Sequence, residues 1–444
     1  MPAADHSRFV IIGGGPAGSL LANYLGKRGH EVDVYEMRDD LRAAGAGRGK
    51  SINLALSYRG LCAMEPVGLS EQVMRLAVPM RGRMIHSTDG RIAFQSYGVD
   101  DSQAINSVSR GGLNVALLEA ASKYPNVRLH FNAKCTDIHL DNAEVTIVDT
   151  KSGAPSMVRG DIVACADGAF SVVRRTMQKL DRFDYSQNYL EHGYKELNIP
   201  PSRNGDFALE KNALHIWPRR SFMMIALPNA DRSFTCTLFW PHEGPNSFSA
   251  IQNEADLKRH FERHFSDALP LMPTLAEDYF ENPVGSMVTV RCSPWQFEGR
   301  VVLLGDASHA VVPFYGQGMN AAFEDVLVLS ECMDRHGSNL RKAFEAFEAA
   351  RKPNTDALAD LAVSNFVEMR DHTGSHLFLL KKKAEKFLAK VFPGWYVPLY
   401  TLVTFTRTPY AQAVARARRQ NRIVVCVFGV VLGLVILILL RYLS

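Results

Sequence analysis

The chain has 444 residues, 47% hydrophobic and 22% charged, enough apolar material for a globular protein of two or three domains. A formal net charge of +4 is too small to argue for a nucleic-acid partner. Cys62, Cys135, Cys165, Cys236, Cys292, Cys332 and Cys426 are scattered and lack C-x-x-C spacing, which suits a reducing compartment and argues against a disulfide framework or a zinc site.

Polar residues from Pro2 to Arg8 run straight into the first apolar run and leave no room for a secretory signal. Phe9 to Ile12 predicts a buried strand, followed at once by Gly13, Gly15 and Gly18 in G-x-G-x-x-G spacing and by a helix ending near Gly29. In such a turn the first glycine permits the bend and the second lets a pyrophosphate approach the backbone. The third lets the helix pack on the strand. The helix start offers free N–H groups to phosphate. Glu31 to Glu36 predicts a second strand, and Glu36, 23 positions after Gly13, is placed to accept hydrogen bonds from a ribose. The segment Gly45 to Asn53 reads as a loop, because no apolar strand leads into its G-x-G; its basic residues either lie near a cofactor or belong to a surface loop.

Leu54 to Val78 reads as mostly helical, and Met80 to Tyr97 as strands turning at Asp89-Gly90. A helix from Leu113 to Lys123 follows, then strands at 127–132, 135–140, 144–149 and 161–166, the last ending in Asp167-Gly168. Between 180 and 285 short alternating runs rich in aromatics (215–218, 222–227, 234–240) predict antiparallel strands of another domain, interrupted by a helix at 254–265. Arg300 to Leu304 returns to a buried strand and ends in Gly305-Asp306; Gly316 and Gly318 then precede a helix from Ala321 to Met333. Residues 340–371 have helical periodicity. Ile423 to Leu440 is eighteen residues without a charge, a helix of roughly 27 Å at 1.5 Å per residue, close to a bilayer core. Arg416, Arg418, Arg419 and Arg422 precede it and only Arg441 follows, which predicts that the N-terminal side is cytoplasmic. A buried core helix is the alternative.

The expected architecture is α/β: a Rossmann-like nucleotide-binding domain with an inserted antiparallel-sheet substrate domain, a C-terminal helical region and a single C-terminal transmembrane helix. The expected divisions are 1–80, 101–180 and 286–340 for the nucleotide-binding domain and 81–100 with 181–285 for the substrate domain. Residues 341–422 form the helical region and 423–443 the anchor. Three strand ends, at Gly13, Asp167-Gly168 and Gly305-Asp306, point to one elongated ligand, since ligands sit at the carboxyl ends of strands in such sheets. There is one fingerprint, so one dinucleotide stays bound.

The Gly13 loop with Glu36, Ala166-Asp167-Gly168 with Arg174, and Leu304 to Ala310 resemble the flavin-dependent aromatic hydroxylases with a single FAD-binding fold. Glu191 to Leu197, Pro283 to Met287, Pro313 to Asn320 and Asn365 to Asp371 are similar to the kynurenine branch of that family, and the resemblance covers nearly the whole chain. It implies bound FAD and transient NADPH. Oxygen adds at flavin C4a and one oxygen atom passes to L-kynurenine, ortho to the aniline nitrogen. The flavin carries the chemistry, so no catalytic side chain is expected, and His309 beside Asp306 is expected to be structural or flavin-adjacent. No metal is expected. By the same resemblance Arg83 and Tyr97 match the carboxylate-binding pair, with Asn365 and Tyr400 completing the polar shell. Pro313 and Phe314 match ring-wall positions, and Glu368 and Met369 line the same helix. Arg38, Arg110 and Asp306 match flavin-binding positions, as do Gln317, Gly318, Met319 and Asn320 at the later helix start. Tyr315 stands where some bacterial members carry histidine, so it reads as a second aromatic wall. The resemblance also implies a bilayer as partner: the mitochondrial outer membrane in a eukaryote, the inner membrane in a bacterium. Two rivals share the broad motifs: a membrane-associated flavin epoxidase or reductase acting on a lipid, and a non-catalytic flavin-fold escort of prenylated partners. The first would not need Arg83 with Tyr97 for a carboxylate, and the second would not need the Gly305-Asp306 and Pro313 to Asn320 flavin-contact segments.

Overall fold

The computed structural model describes residues 7–43, 53–98, 103–369 and 376–443. Residues 45–52 of the glycine-rich basic loop and the last two residues of the 365–371 motif lie outside the described residues.

A six-stranded sheet holds, in order, Gln296–Phe297, Val301–Leu303, Ile162–Cys165, Arg8–Ile12, Glu31–Tyr35 and Val127–His130. All neighbours are parallel except the first pair. Strands covered on both faces read as continuous apolar runs, which is why Val10, Ile11, Val163, Val301 and Val302 are wholly buried. The expected strands of this sheet are found within a few residues. Helices Pro16–Lys27, Arg110–Ala121 and Gly318–His336 pack around it.

A seven-stranded sheet carries Gly285–Ser293, Asp184–Ile199, Phe234–Pro241, Met223–Pro228, Ala213–Pro218, Gly82–His86 and Ile92–Ser96. It is antiparallel apart from the Ala213–Pro218 pairing with Gly82–His86, which is parallel. That pairing joins the early hairpin to the later insertion. The sheet runs past 285, because Gly285–Ser293 pairs with Asp184–Ile199 from Tyr194↔Gly285 to Asp184↔Ser293.

Two further expectations change. Asn53–Leu56 is a strand, not the start of a helix; it pairs with Ile105–Ser109, which also pairs with Val78–Met80. An apolar run this short fits either state, and a partner fifty residues away decides it. Short helices Tyr58–Met64 and Ser70–Met74 follow. The next helix starts at Arg110 rather than Leu113, because the Ser109 hydroxyl accepts the Gly112 N–H at 3.3 Å and caps it.

C-terminal to these lie Leu340–Val367, His376–Val391, Leu399–Thr404 and Tyr410–Leu443. The last is long and apolar enough to cross a bilayer, and its apolar stretch is not buried in the protein. Val425 and Phe428 are 69% and 68% exposed, so this is not a core helix.

A chain of buried charges ties these parts together. Asp325 accepts from Gly305 N–H at 2.9 Å, His309 Nε2 at 2.5 Å and Arg351 Nε at 2.7 Å. Arg351 also binds Glu324 and the Ala321 carbonyl, and Glu324 binds Arg59. Arg59 donates to the Thr406 and Thr408 carbonyls and lies 4.1 Å from the Tyr410 ring centre. Burial alone would raise the Asp325 carboxyl, but His309 and Arg351 outweigh it and hold it below the usual range. Arg351→Ala removes one cation from each of two buried carboxylates and is expected to cost about 3–5 kcal/mol. Urea unfolding of the full chain measures this, and a loss below about 1 kcal/mol, the range of exposed pairs, contradicts it.

Candidate active site

One continuous cleft runs from the strand ends of the six-stranded sheet to the inner face of the seven-stranded sheet. At one end it is lined by Gly15, Arg110, Gly168 and Asp306, and at the other by Arg83, Tyr97, Phe239, Met369 and Tyr400.

The first end is built by backbone. Gly13 has φ +98°, and a Cβ there would lie 2.4 Å from the Ala166 carbonyl oxygen; a Cβ on Gly18 would lie 2.0 Å from the Gly13 oxygen. A Cβ on Gly15 would meet nothing within 4 Å. The first and third glycines are thus required by packing, while the second borders open cleft. The helix that starts at Pro16 has no side-chain cap, which leaves its first N–H groups for an anion. Arg110 begins the helix on the cleft rim. The helix start Gly318-Met319 also faces the cleft. Asp306 opens onto the cleft while the surrounding protein raises its carboxyl, an effect that His309 and Arg110 oppose. Arg174 clamps the two acid-bearing turns together by donating to the carbonyls of Ala169 at 2.5 Å and Ala307 at 2.7 Å. An extended ligand carrying phosphates and hydroxyls fits this end, as FAD does.

Glu36 and Arg38 lie beside Gly14 rather than in the cleft. Glu36 accepts the Gly14 N–H at 2.9 Å and the Arg38 N–H at 3.0 Å, and the Arg38 side chain is exposed. Gln317 and Asn320 do not offer their side chains to the cleft. Gln317 accepts from Tyr410 at 3.1 Å. The Asn320 amide accepts from Ser57 N–H and donates to the carbonyls of Ala55 and Gly316. These two hold the walls, because a helix start facing a cleft must itself be fixed from behind. His309 pairs with Asp325, not Asp306, so its role is structural.

The far end is built by side chains. Arg83 projects from Gly82–His86 with its guanidinium 5.4 Å from the Tyr97 ring centre and 5.3 Å from that of Tyr400. The two tyrosines stack at 5.4 Å, and Tyr315 lies 5.8 Å from Tyr400. Arg83 is 9% exposed, and among the described residues its Nε–H has no hydrogen-bond partner. Burial opposes its charge, yet Tyr400, Tyr97 and Glu368 outweigh burial and raise its pKa, so it stays cationic. Pro313 and Phe314 form a wall, with Phe314 stacked on Phe366 at 4.2 Å and 4.9 Å from Phe239. Asn365 stands behind that wall, its amide donating to the Phe314 carbonyl at 2.6 Å and to Met369 Sδ at 3.3 Å. Glu368 lines a second chamber, which backs onto Arg83 and Tyr400, instead of the cleft itself.

The sheet residues Leu214, Ile225, Thr237 and Phe239 also line the cleft and were not anticipated. Alternation along each strand marked them as one face, but nothing in the sequence said which face was the site. Tyr194, another lining residue, lay within the Glu191 to Leu197 motif without an assigned role.

The FAD binding domain family matches residues 7–361. The chain is 47% identical over 413 residues to kynurenine 3-monooxygenase of Myxococcus xanthus, covering 93% of this chain and 89% of the relative. It is 48% identical over 416 residues to that of Dictyostelium discoideum (91% and 89%) and 45% identical over 428 residues to that of Sus scrofa (96% and 90%). Among solved structures, 2-methyl-3-hydroxypyridine-5-carboxylic acid oxygenase superposes with TM-score 0.64 at 20% identity, over 85% of this chain and 96% of that one. Pseudomonas aeruginosa PqsL in complex with 2-aminobenzoylacetate gives 0.65 at 22% identity, over 83% and 97%. These two share the fold. With the relatives matched over nearly their whole length, the chain belongs to the kynurenine 3-monooxygenase family of FAD-dependent hydroxylases.

Proposed function

We propose that this protein hydroxylates L-kynurenine to 3-hydroxy-L-kynurenine: the substrate, O2, NADPH and a proton give the product, NADP+ and water. The observation that carries the substrate is Arg83, a buried cation with an unpaired N–H between two tyrosines at the end of an otherwise apolar cleft. A carboxylate completes it, since an unmet buried donor costs about 1–3 kcal/mol and arginine matches a carboxylate in two-point geometry. A lipid substrate would leave that donor unmet, and an escort protein would have no use for Asp306 open to the cleft.

Bound FAD supplies electron transfer from NADPH and activation of oxygen, which no side chain can. Backbone at Gly15 and the Pro16 helix start would hold its pyrophosphate, with Arg110 adding charge. Asp306 would accept from a ribityl hydroxyl, Glu36 and Arg38 would serve the adenosine end, and Gly318 and Met319 would meet the ring. Arg83, Tyr97 and Tyr400 hold the substrate carboxylate. Phe239, Phe314 and Met369 clamp the aromatic ring and exclude water, so that only the ring presents itself to the cofactor end. Asn365 acts from behind by fixing Phe314. No group in this arrangement is needed as a nucleophile or metal ligand, and no cluster of metal-ligating side chains occurs among the described residues.

The same reading puts the protein on a membrane. The exposed apolar run from Ile423 to Leu440 supports an anchor, and the arginines at 416, 418, 419 and 422 support a cytoplasmic catalytic part. The membrane would be the mitochondrial outer membrane in a eukaryote and the inner membrane in a bacterium.

L-Kynurenine is expected to stimulate NADPH oxidation by the purified yellow protein and to gain one oxygen atom by mass. A folded, flavin-loaded sample that does not respond overturns the assignment. Asp306→Ala is expected to purify largely without flavin absorbance, and full flavin retention contradicts its role.

A further inference from the structure

A row of large apolar side chains remains uncovered next to the apolar C-terminal helix. Leu380, Phe387 and Val391 on His376–Val391 are 64%, 65% and 47% exposed, and the turn beyond adds Phe392 at 50% and Trp395 at 45%. At 3.6 residues per turn, Leu380, Phe387 and Val391 fall within about 40° of one another on one side of the helix. Exposed Lys383 and Lys390 flank that stripe on one edge. Glu385 and Lys386 instead line the chamber behind Arg83. A contiguous apolar patch rimmed by cations marks a binding surface.

The location of the turn identifies what covers it. Arg416 donates to the Gly394 carbonyl at 2.6 Å, Tyr396 donates to Asn421 at 3.2 Å, and the Gln420 amide donates to the Trp395 carbonyl. The turn therefore sits against the helix at residues 416–421, immediately before the uncharged run begins at Ile423. Arg418, Arg419 and Arg422 are exposed at the same level. Aromatic residues at the mouth of a span and a basic, one-sided apolar helix beside it are what a membrane interface accommodates. The cations complement anionic headgroups, whereas a second copy of the chain would bring the same lysines and arginines together.

We propose that His376–Val391 and the turn through Trp395 lie in the plane of an anionic bilayer surface, with the Leu380/Phe387/Val391 stripe in the headgroup–acyl boundary. This rests on reading Tyr410–Leu443 as the anchor. One consequence is that membrane docking fixes one wall of the chamber behind the substrate arginine, because the docked helix carries Glu385 and Lys386 on its other side.

The test uses the full-length flavin-loaded protein in vesicles of phosphatidylcholine and phosphatidylserine. Six of the seven cysteines are buried, so Phe387→Cys in a Cys426→Ser background takes a bimane label at one place. Quenching is compared for lipids brominated near the headgroup end and near the methyl end of their chains. Headgroup-end bromines are expected to quench roughly twofold more strongly, as befits a helix lying in the interface. Flotation with the vesicles but no bromine quenching, with or without a blue shift from a second copy, overturns this proposal and leaves the anchor. Failure to float overturns both. Stronger quenching by methyl-end bromines means a second membrane-inserted segment and also overturns it. Trp395 gives an independent readout should the labelled variant not fold. Trp217, Trp240 and Trp295 are at most 1% exposed, so lipid quenching of intrinsic fluorescence reports Trp395 and is expected to vanish in Trp395→Phe.

Discussion

The chain of buried charges from Asp325 through Arg351 and Glu324 to Arg59 is the constraint on which the site depends. It touches the Gly305-Asp306 turn, the helix start at Gly318, the long helix Leu340–Val367 and the segment around Thr406 to Tyr410. Buried ions are tolerated only when every partner is present, so these elements cannot drift independently. Asp306, which faces the cleft, and the helix start at Gly318 are thereby held in one frame with the C-terminal helices, although they belong to distant parts of the chain.

Two arginines show how the same residue type divides between architecture and chemistry. Arg351 is satisfied within the protein, by two carboxylates and a carbonyl. Arg83 is also buried but lines the cleft, and among the described residues its Nε–H is unmet. The fold bears the cost of that incomplete site because the Tyr97 and Tyr400 rings and the sheet around it hold the side chain in place.

Much of the fold was legible in the sequence because its signals are local. The Gly13 loop sits between strand and helix, and Gly13 and Gly18 are fixed by the turn and the helix–strand packing that their spacing implied. The apolar strands of the parallel sheet read directly, as did the uncharged terminal helix. What could not be read depends on distant partners. Asn53–Leu56 became a strand through Ile105–Ser109, and Gly285–Ser293 joined a sheet whose other edge lies two hundred residues earlier. The site was split in the same way. Arg83, Tyr97, Phe314, Met369 and Tyr400 were found by resemblance and do converge. Gln317 and Asn320 belonged to the right segment but turn their side chains into the protein, a direction that spacing does not reveal. Glu324, Asp325 and Arg351 look like ordinary charges on helix faces until the packing shows them buried.

The central claim is that an unmet buried guanidinium selects a carboxylated aromatic amine. It is tested by comparing L-kynurenine with its decarboxylated amine in the wild-type protein and in Arg83→Met. Loss of one partner from a buried charge pair costs about 2 kcal/mol or more, so the wild type should favour L-kynurenine by at least about 30-fold in kcat/KM. The preference should collapse to within about threefold in the flavin-loaded variant, whose site no longer distinguishes the two. Equal use of both compounds by the wild type, or a preference that survives in Arg83→Met, contradicts the account.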